Sequence, residues 1–432
     1  MHLLIIGNGV AGVTAAMTAR KRDVSLEITL VSDESDYFFS RTALMYAFLD
    51  RLSRRDLEPY ERKVWDRQGI RRVRGRVVDL DAEGRTVTLD GGATLAWDRL
   101  ILATGAGPRM LPLEGLDEIR EGVVHFVTLA DLDRCEALTP STQRAVVVGG
   151  GLIGIELAEC LHHHGVAVTL VLRDDRYWPT ALPAEESAMV VARMREHGIE
   201  VIAGDTAFAV AADEAGRVRE VRTHGGRVLP CEMLGVCIGV EPRIEALRTV
   251  RTAPALGRGV LVDDHLRTSL PDVYACGDCA EVESAEGERF IETIWYSARA
   301  QGEVAGENAA GGTRAYRRPI FYNSAMLIDI PYTTVGRSAD LPPETPTLLR
   351  RAPGRPLSQR LLEGPGGELI GFIGLGSDWD HELLERWIRE QRPVAWVRDH
   401  LHRARYDVEF RNVRLDRMDE VRVPLHGGEV ST

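Results

Sequence analysis

Lysine is almost missing from this chain. Among 432 residues only Lys21 and Lys63 occur, and the remaining basic charge is arginine. That removes most candidates for any mechanism needing a lysine amine. No apolar run approaches the roughly 18–20 residues a membrane-spanning helix needs. No long basic block occurs and the formal net charge is −12, so nucleic acid is not an expected partner. Cysteine is absent from the first 134 residues. Of the six cysteines, Cys135, Cys160, Cys231 and Cys237 are isolated and read as small buried hydrophobes, leaving Cys276 and Cys279 as a CxxC pair. The chain enters its first strand at His2–Leu3, which leaves no room for a signal peptide and points to the cytoplasm, where stable disulfides are disfavoured. The length suits two or three domains.

What the sequence does hold is one pattern written twice. Residues 3–12 read LLIIGNGVAG, and residues 145–156 read AVVVGGGLIGIE. Each is an apolar, strand-like run followed by three spaced glycines and a helix-like run. One GxGxxG is weak evidence, but two suggest two bound dinucleotides held face to face. In the first copy Gly7 makes the tight turn, Gly9 admits a pyrophosphate, and Gly12 lets helix and strand pack closely. Val10 and Ala11 open the helix, whose unpaired N–H groups suit phosphate. The helix runs to about Arg22 and a strand follows over Leu26–Val31. An acid for a ribose hydroxyl is expected about 20 residues beyond the glycines; Asp33 and Glu34 both qualify. In the second copy Gly149, Gly151 and Gly154 lead into Leu152 and Ile153, with Glu156 just inside the helix.

These motifs, with those that follow, resemble the FAD-dependent pyridine nucleotide–disulfide oxidoreductase superfamily over about Met1–Gly336. The similarity is to the rubredoxin and ferredoxin reductase, nitrite reductase flavin subunit and NADH oxidase branches. Where NADH oxidases and coenzyme A-disulfide reductases carry a redox cysteine, Thr42 stands. A hydroxyl forms neither a disulfide nor a sulfenic acid. The resemblance implies that Arg41 reaches FAD phosphate and that backbone near Val77–Val78 touches adenine, in a hairpin of Val73–Leu80 with Arg85–Leu89. Ala103-Thr104-Gly105 matches the crossover where the chain leaves the FAD domain. Gly277-Asp278 matches the pair that ends the last FAD strand, Asp278 accepting from a ribityl hydroxyl. Asp278 already has that role inside the CxxC, so Cys276 and Cys279 read as packing. Trp295 and Tyr296 open a helix whose N-terminus faces the flavin pyrimidine ring in the family and are candidates for lining it.

The end of strand Val166–Leu172 bears on the nicotinamide cofactor. An acid there favours NADH; arginine favours the 2′-phosphate of NADPH. Leu172 stands where the acid is expected, and Arg173 and Arg176 are available, so the strand end leans to NADPH over NADH. Glu156 resembles a position that approaches the nicotinamide. His162, His163 and His164 occupy consecutive helix positions that do not share a face, so no metal site is expected. Further on, 48–70 reads as polar and helical, Met233–Val240 as strand, 378–405 as helix broken near Pro393, and the residues from Val423 as a tail.

The expected fold class is α/β: two Rossmann-like dinucleotide-binding domains, for FAD and NAD(P), plus a C-terminal α+β interface domain. The expected boundaries are 1–112 and 243–315 for FAD, 113–242 for NAD(P), and 316–432 for the interface domain, which leaves room for a homodimer. The expected activity is hydride transfer from NADPH or NADH to FAD and onward delivery to an iron–sulfur redox protein such as a ferredoxin or rubredoxin. Two alternatives stay open: a quinone, oxygen or small-molecule reductase, and a flavin-bearing binding or assembly protein. No general acid can be named.

Overall fold

The computed structural model describes residues 1–284, 286–338, 341–406 and 418–426. They form two compact units: Met1–Arg109 with Val127–Asp133 and Gly239–Pro319, and Met110–Phe126 with Arg134–Ile238 and Ile320–Thr432.

The first unit is built on a five-stranded sheet in the order Val273–Ala275, Arg99–Leu102, His2–Ile6, Glu27–Ser32, Ile70–Arg74. Every pairing is parallel. Its strands read as nearly unbroken apolar runs, LLII and LIL among them, because both faces are covered. Leu3, Leu4, Ile5, Leu100, Ile101 and Leu102 are wholly buried. Helices Val10–Arg22 and Trp295–Ala309 lie against each other through small residues. A Cβ on Gly302 would stand 2.4 Å from the Ala11 carbonyl oxygen, so only glycine lets the helices approach this closely.

The second unit repeats the plan. Strands Glu200–Ile202, Ala167–Val171, Arg144–Val148, Met233–Val236 and Val123–Val124 form a parallel sheet in that order. Helix Leu152–His163 follows the central strand and ends at Gly165, with φ +82°. The unit also carries a six-stranded antiparallel sheet, ordered Tyr322–Leu327, Ile330–Gly336, Leu369–Leu375, Ser358–Glu363, Pro346–Arg351, Asp419–Pro424. Helices His381–Arg389 and Val394–His400 cover one face and bury Leu384, Trp387 and Val397 against Val335 and Phe372. The architecture is therefore α/β with two Rossmann-like sheets and a C-terminal α+β region.

Four local expectations need correction. Val73 does not begin the hairpin: it ends the parallel sheet in Ile70–Arg74, and the hairpin starts at Val77. Gly75, at φ +158°, separates the two. The 48–70 stretch is mostly turns, with one short helix at Lys63–Arg67. Met233–Val240 divides into strands Met233–Val236 and Val240–Pro242, bent at Gly239, φ +109°. Val423 is no tail: it lies in strand Asp419–Pro424, its partner is Thr347, and Leu425 beyond it is buried. The end of the expected tail, 427–432, lies outside the described residues.

Candidate dinucleotide sites

In the first unit Gly7, Gly9 and Gly12 divide the work by geometry. A Cβ on Gly7, φ +111°, would stand 2.0 Å from the Ala103 carbonyl oxygen, and one on Gly12 would stand 2.0 Å from that of Gly7. Those two close the strand–turn–helix. Gly9 has nothing within 4 Å of its Cβ position. The open space lies at the head of helix Val10–Arg22, which has no side-chain cap. Val10 and Ala11 supply its first free N–H groups. An uncapped helix start beside an open glycine fits a phosphate-bearing ligand.

Around this loop the unit gathers most of the residues named for FAD. Asn8 donates to the Ser35 carbonyl at 2.8 Å, tying the loop to the end of the second strand. Asp33 accepts from Arg243 at 3.2 Å and pairs with Arg76 at 3.4 Å. Glu34 takes the Arg41 guanidinium, Nη2 to Oε2 at 2.6 Å, and the Leu129 N–H at 3.0 Å. Arg41 thus has a carboxylate partner within its own unit. Thr42 is exposed in the turn Arg41–Ala43. Ala103 is buried; the Thr104 hydroxyl donates to Arg243 O at 2.8 Å, and Gly105 adopts φ +72°. Val77 and Val78 lie on a separate three-stranded sheet, with Val78 45% exposed.

Gly277 follows the edge strand of the first sheet with φ +78°, and Asp278 stands next to it. Burial pushes the Asp278 carboxyl up to about 6, against a lowering pull from Arg41. Trp295 and Tyr296 open their helix half-buried, rings edge to face at 5.3 Å. Cys276 and Cys279 are fully buried free thiols, and burial pushes both upward in pKa. The Cys279 thiol donates to backbone carbonyls of Leu102 and Cys276 at 3.5 and 3.4 Å. Such thiols are poor nucleophiles.

The second unit repeats the loop geometry. A Cβ on Gly149, φ +138°, would stand 2.0 Å from the Cys237 carbonyl oxygen, and one on Gly154 would stand 2.3 Å from that of Gly149. Gly151 again has nothing within 4 Å, and it precedes helix Leu152–His163, which lacks a side-chain cap. Leu152 and Ile153 are the first helical residues. Burial, and then the neighbouring Glu159, push the Glu156 carboxyl up to about 8. Tyr177, wholly buried, donates to the Gly151 carbonyl at 3.4 Å, and its pKa is pushed well up by burial and then by Glu156. Tyr177 was not legible as a site residue, because it acts through Gly151, a partner distant in sequence.

Past strand Ala167–Val171, Leu172 is buried. Arg173 is an exposed cation, its side chain 79% accessible, with an Asp174 contact at 3.4 Å. Arg176 differs: its Nε is enclosed without a hydrogen bond, and its charge bears on His426. The two arginines are therefore not equivalent.

Two glycine cradles, each open at its middle glycine, define a protein that binds two dinucleotides. The chain belongs to the pyridine nucleotide-disulphide oxidoreductase family, whose model matches residues 1–302. It is 34% identical over 343 residues to the 5,5'-dehydrodivanillate O-demethylase ferredoxin reductase subunit of a Sphingobium species, spanning 77% of this chain and 81% of that one. It is 32% identical over 394 residues to the ferredoxin–NAD(+) reductase component of the p-cumate 2,3-dioxygenase system of Pseudomonas putida, covering 91% and 94%. Among solved structures, the ferredoxin reductase for the CYP199A2 system from Rhodopseudomonas palustris matches with TM-score 0.78 and 27% identity, over 87% of this chain and 91% of that one.

Proposed function

We propose that this protein is an FAD-dependent NAD(P)H oxidoreductase that passes electrons to a small iron–sulfur protein of the ferredoxin or rubredoxin kind. The observation that carries the reading is the repeated cradle: Gly9 and Gly151 leave open space at two uncapped helix starts. FAD, when bound, accepts a hydride and can release its electrons singly. Similarity to the two ferredoxin reductase components supports the choice of acceptor.

In this reading 1–112 and 243–315 hold FAD, 113–242 holds the nicotinamide cofactor, and 316–432 is the C-terminal interface domain, which serves a homodimer. Gly7–Gly12 and the helix start at Val10 and Ala11 receive the pyrophosphate. Asp33 or Glu34 takes the adenosine ribose, and Asp278 takes a ribityl hydroxyl. Gly149–Gly154 receives the nicotinamide cofactor, and Glu156 stands near its reactive end. Buried Cys276 and Cys279, with Thr42 in the turn, favour electron release without a protein dithiol. A cytoplasmic setting agrees with six free, buried thiols.

Leu172 and the exposed Arg173 favour NADPH. The name of the P. putida relative carries NAD(+), which pulls the other way. Initial rates with the two cofactors test this directly: a strong NADH preference contradicts it. Stopped-flow reduction followed by a screen of ferredoxins and rubredoxins tests the acceptor, and failure to reduce any of them contradicts the iron–sulfur assignment.

A further inference from the structure

Residues 172–182, which hold no helix or strand, fold back onto the second glycine loop. A Cβ on Gly150 would stand 3.3 Å from the Leu172 side chain and 3.9 Å from the Trp178 nitrogen, so the segment lies directly against that loop. Its most unusual residue is Trp178, at φ +48° the one aromatic residue with positive φ among the described residues. A bulky side chain in left-handed backbone is strained, and such strain persists where the surroundings over-determine it, often at ligand clamps. Here the Ala181 and Leu182 N–H groups both donate to the Trp178 carbonyl, at 3.0 and 2.9 Å. The indole packs at 5.4 Å on the ring of Tyr332, a buried residue of strand Ile330–Gly336.

Held in that conformation, Trp178 fixes the residue before it. Tyr177 is wholly buried, and its hydroxyl donates to the Gly151 carbonyl at 3.4 Å. The same carbonyl accepts the Ile155 N–H at 3.3 Å, the first bond of helix Leu152–His163. In a planar trans peptide the Leu152 N–H points away from the Gly151 carbonyl. Whatever holds that carbonyl therefore also aims the first free N–H of the uncapped helix start, where a dinucleotide phosphate would sit.

We propose that Tyr177 and Trp178 are positioning residues: buttressed by Tyr332, they hold the Gly151–Leu152 peptide in the orientation that binds the nicotinamide cofactor. The role rests on the NAD(P)H reading given above, and it acts through Gly151 without touching the cofactor.

Steady-state oxidation of NADPH and NADH by the FAD-loaded full chain, with saturating ferricyanide as electron acceptor, tests it. Tyr177→Phe keeps the ring and removes only the hydroxyl. For each nucleotide the parent oxidises, it is expected to raise KM about fivefold or more, the scale of one lost hydrogen bond, with kcat and the FAD dissociation constant each within about twofold of the parent. A smaller rise in KM, or a larger change in kcat or FAD affinity, overturns the proposal. Should Tyr177→Phe not fold, Trp178→Phe and Trp178→Gly carry the comparison. Phenylalanine keeps a ring against Tyr332, whereas glycine suits the positive φ and loses the ring. The glycine variant is expected to show a KM about threefold or more above that of the phenylalanine variant, at equal kcat. A smaller difference overturns it. A parent chain that oxidises neither nucleotide fails the NAD(P)H reading itself, whereas one that oxidises them and is indifferent to these substitutions fails only the positioning role.

Discussion

Gly149 lies so close to Cys237 that a Cβ would come within 2.0 Å of the Cys237 carbonyl oxygen, while two residues later Gly151 faces open space. The same loop therefore holds one glycine required by the fold and one available to a ligand. Gly149→Ala is expected to destabilise the protein by about 3 kcal/mol, from the clash and from a backbone at positive φ. Gly151→Ala is expected to leave thermal unfolding nearly unchanged while raising the KM for the nicotinamide cofactor at least tenfold. Gly9→Ala should do the same to FAD affinity. Thermal melts beside cofactor titrations check all three.

Glu156 links this loop to pH. Its carboxyl is raised from the ordinary 4.5 to about 8, first by burial and then by Glu159. The folded chain therefore holds this proton to higher pH than the unfolded chain does. Its favourable contribution is complete below about pH 4.5 and is lost as pH rises toward 8. Glu156→Gln removes that dependence. In the absence of cofactors the variant is expected to melt higher than the parent at pH 8 and at the same temperature at pH 4. A lower melting temperature at pH 8 contradicts the assignment.

Arg173 and Arg176 make a separable prediction about cofactor choice. Arg173 is exposed, whereas Arg176 has its Nε enclosed. Arg173→Ala is expected to lower kcat/KM for NADPH about tenfold, the scale of one lost charge-assisted contact, and to spare NADH. Arg176→Ala is expected to affect the two cofactors alike. Steady-state kinetics with each cofactor checks this.

The two glycine loops were legible because no other residue meets their geometry: Gly7 and Gly149 need positive φ and contact with a neighbouring carbonyl. The parallel strands were legible because burial on both faces leaves only apolar side chains. What escaped depends on partners far away in the chain. Alternation runs on through Arg74, Gly75 and Arg76, so the break between two sheets at Gly75 is invisible without coordinates. Asp419–Pro424 reads as polar because it is an edge strand, paired among the described residues with Pro346–Arg351 alone. Arg41 is visible as a cation, but its pairing with Glu34 is a property of the fold.

Arg360 is a residue whose importance the sequence hides. It is completely buried in a sheet strand, bonded to Glu186 at 2.9 and 3.0 Å, to Glu185 at 2.8 Å and to Thr347 at 2.9 Å. Arg360→Met leaves an uncompensated carboxylate in the interior. The expected cost is about 3–5 kcal/mol, measured by denaturant unfolding of the second unit's signal. A cost below about 1 kcal/mol would mean that the glutamates find water or take up protons.

The buried pair Cys276 and Cys279 is expected to be dispensable for electron flow. Cys276→Ser with Cys279→Ser should leave turnover within twofold of the parent, apart from any loss of folded protein. Loss of turnover in a fully folded, FAD-loaded double variant would restore a dithiol mechanism.

Anaerobic titration of the purified protein with NADPH and NADH, followed by its absorption spectrum, tests the central claim most directly. The expected result is an FAD spectrum that bleaches as reducing equivalents are added, with no thiolate-to-flavin charge-transfer band, and reoxidation when a ferredoxin or rubredoxin is supplied. A protein that binds no FAD, or an FAD that neither nucleotide reduces, would contradict it.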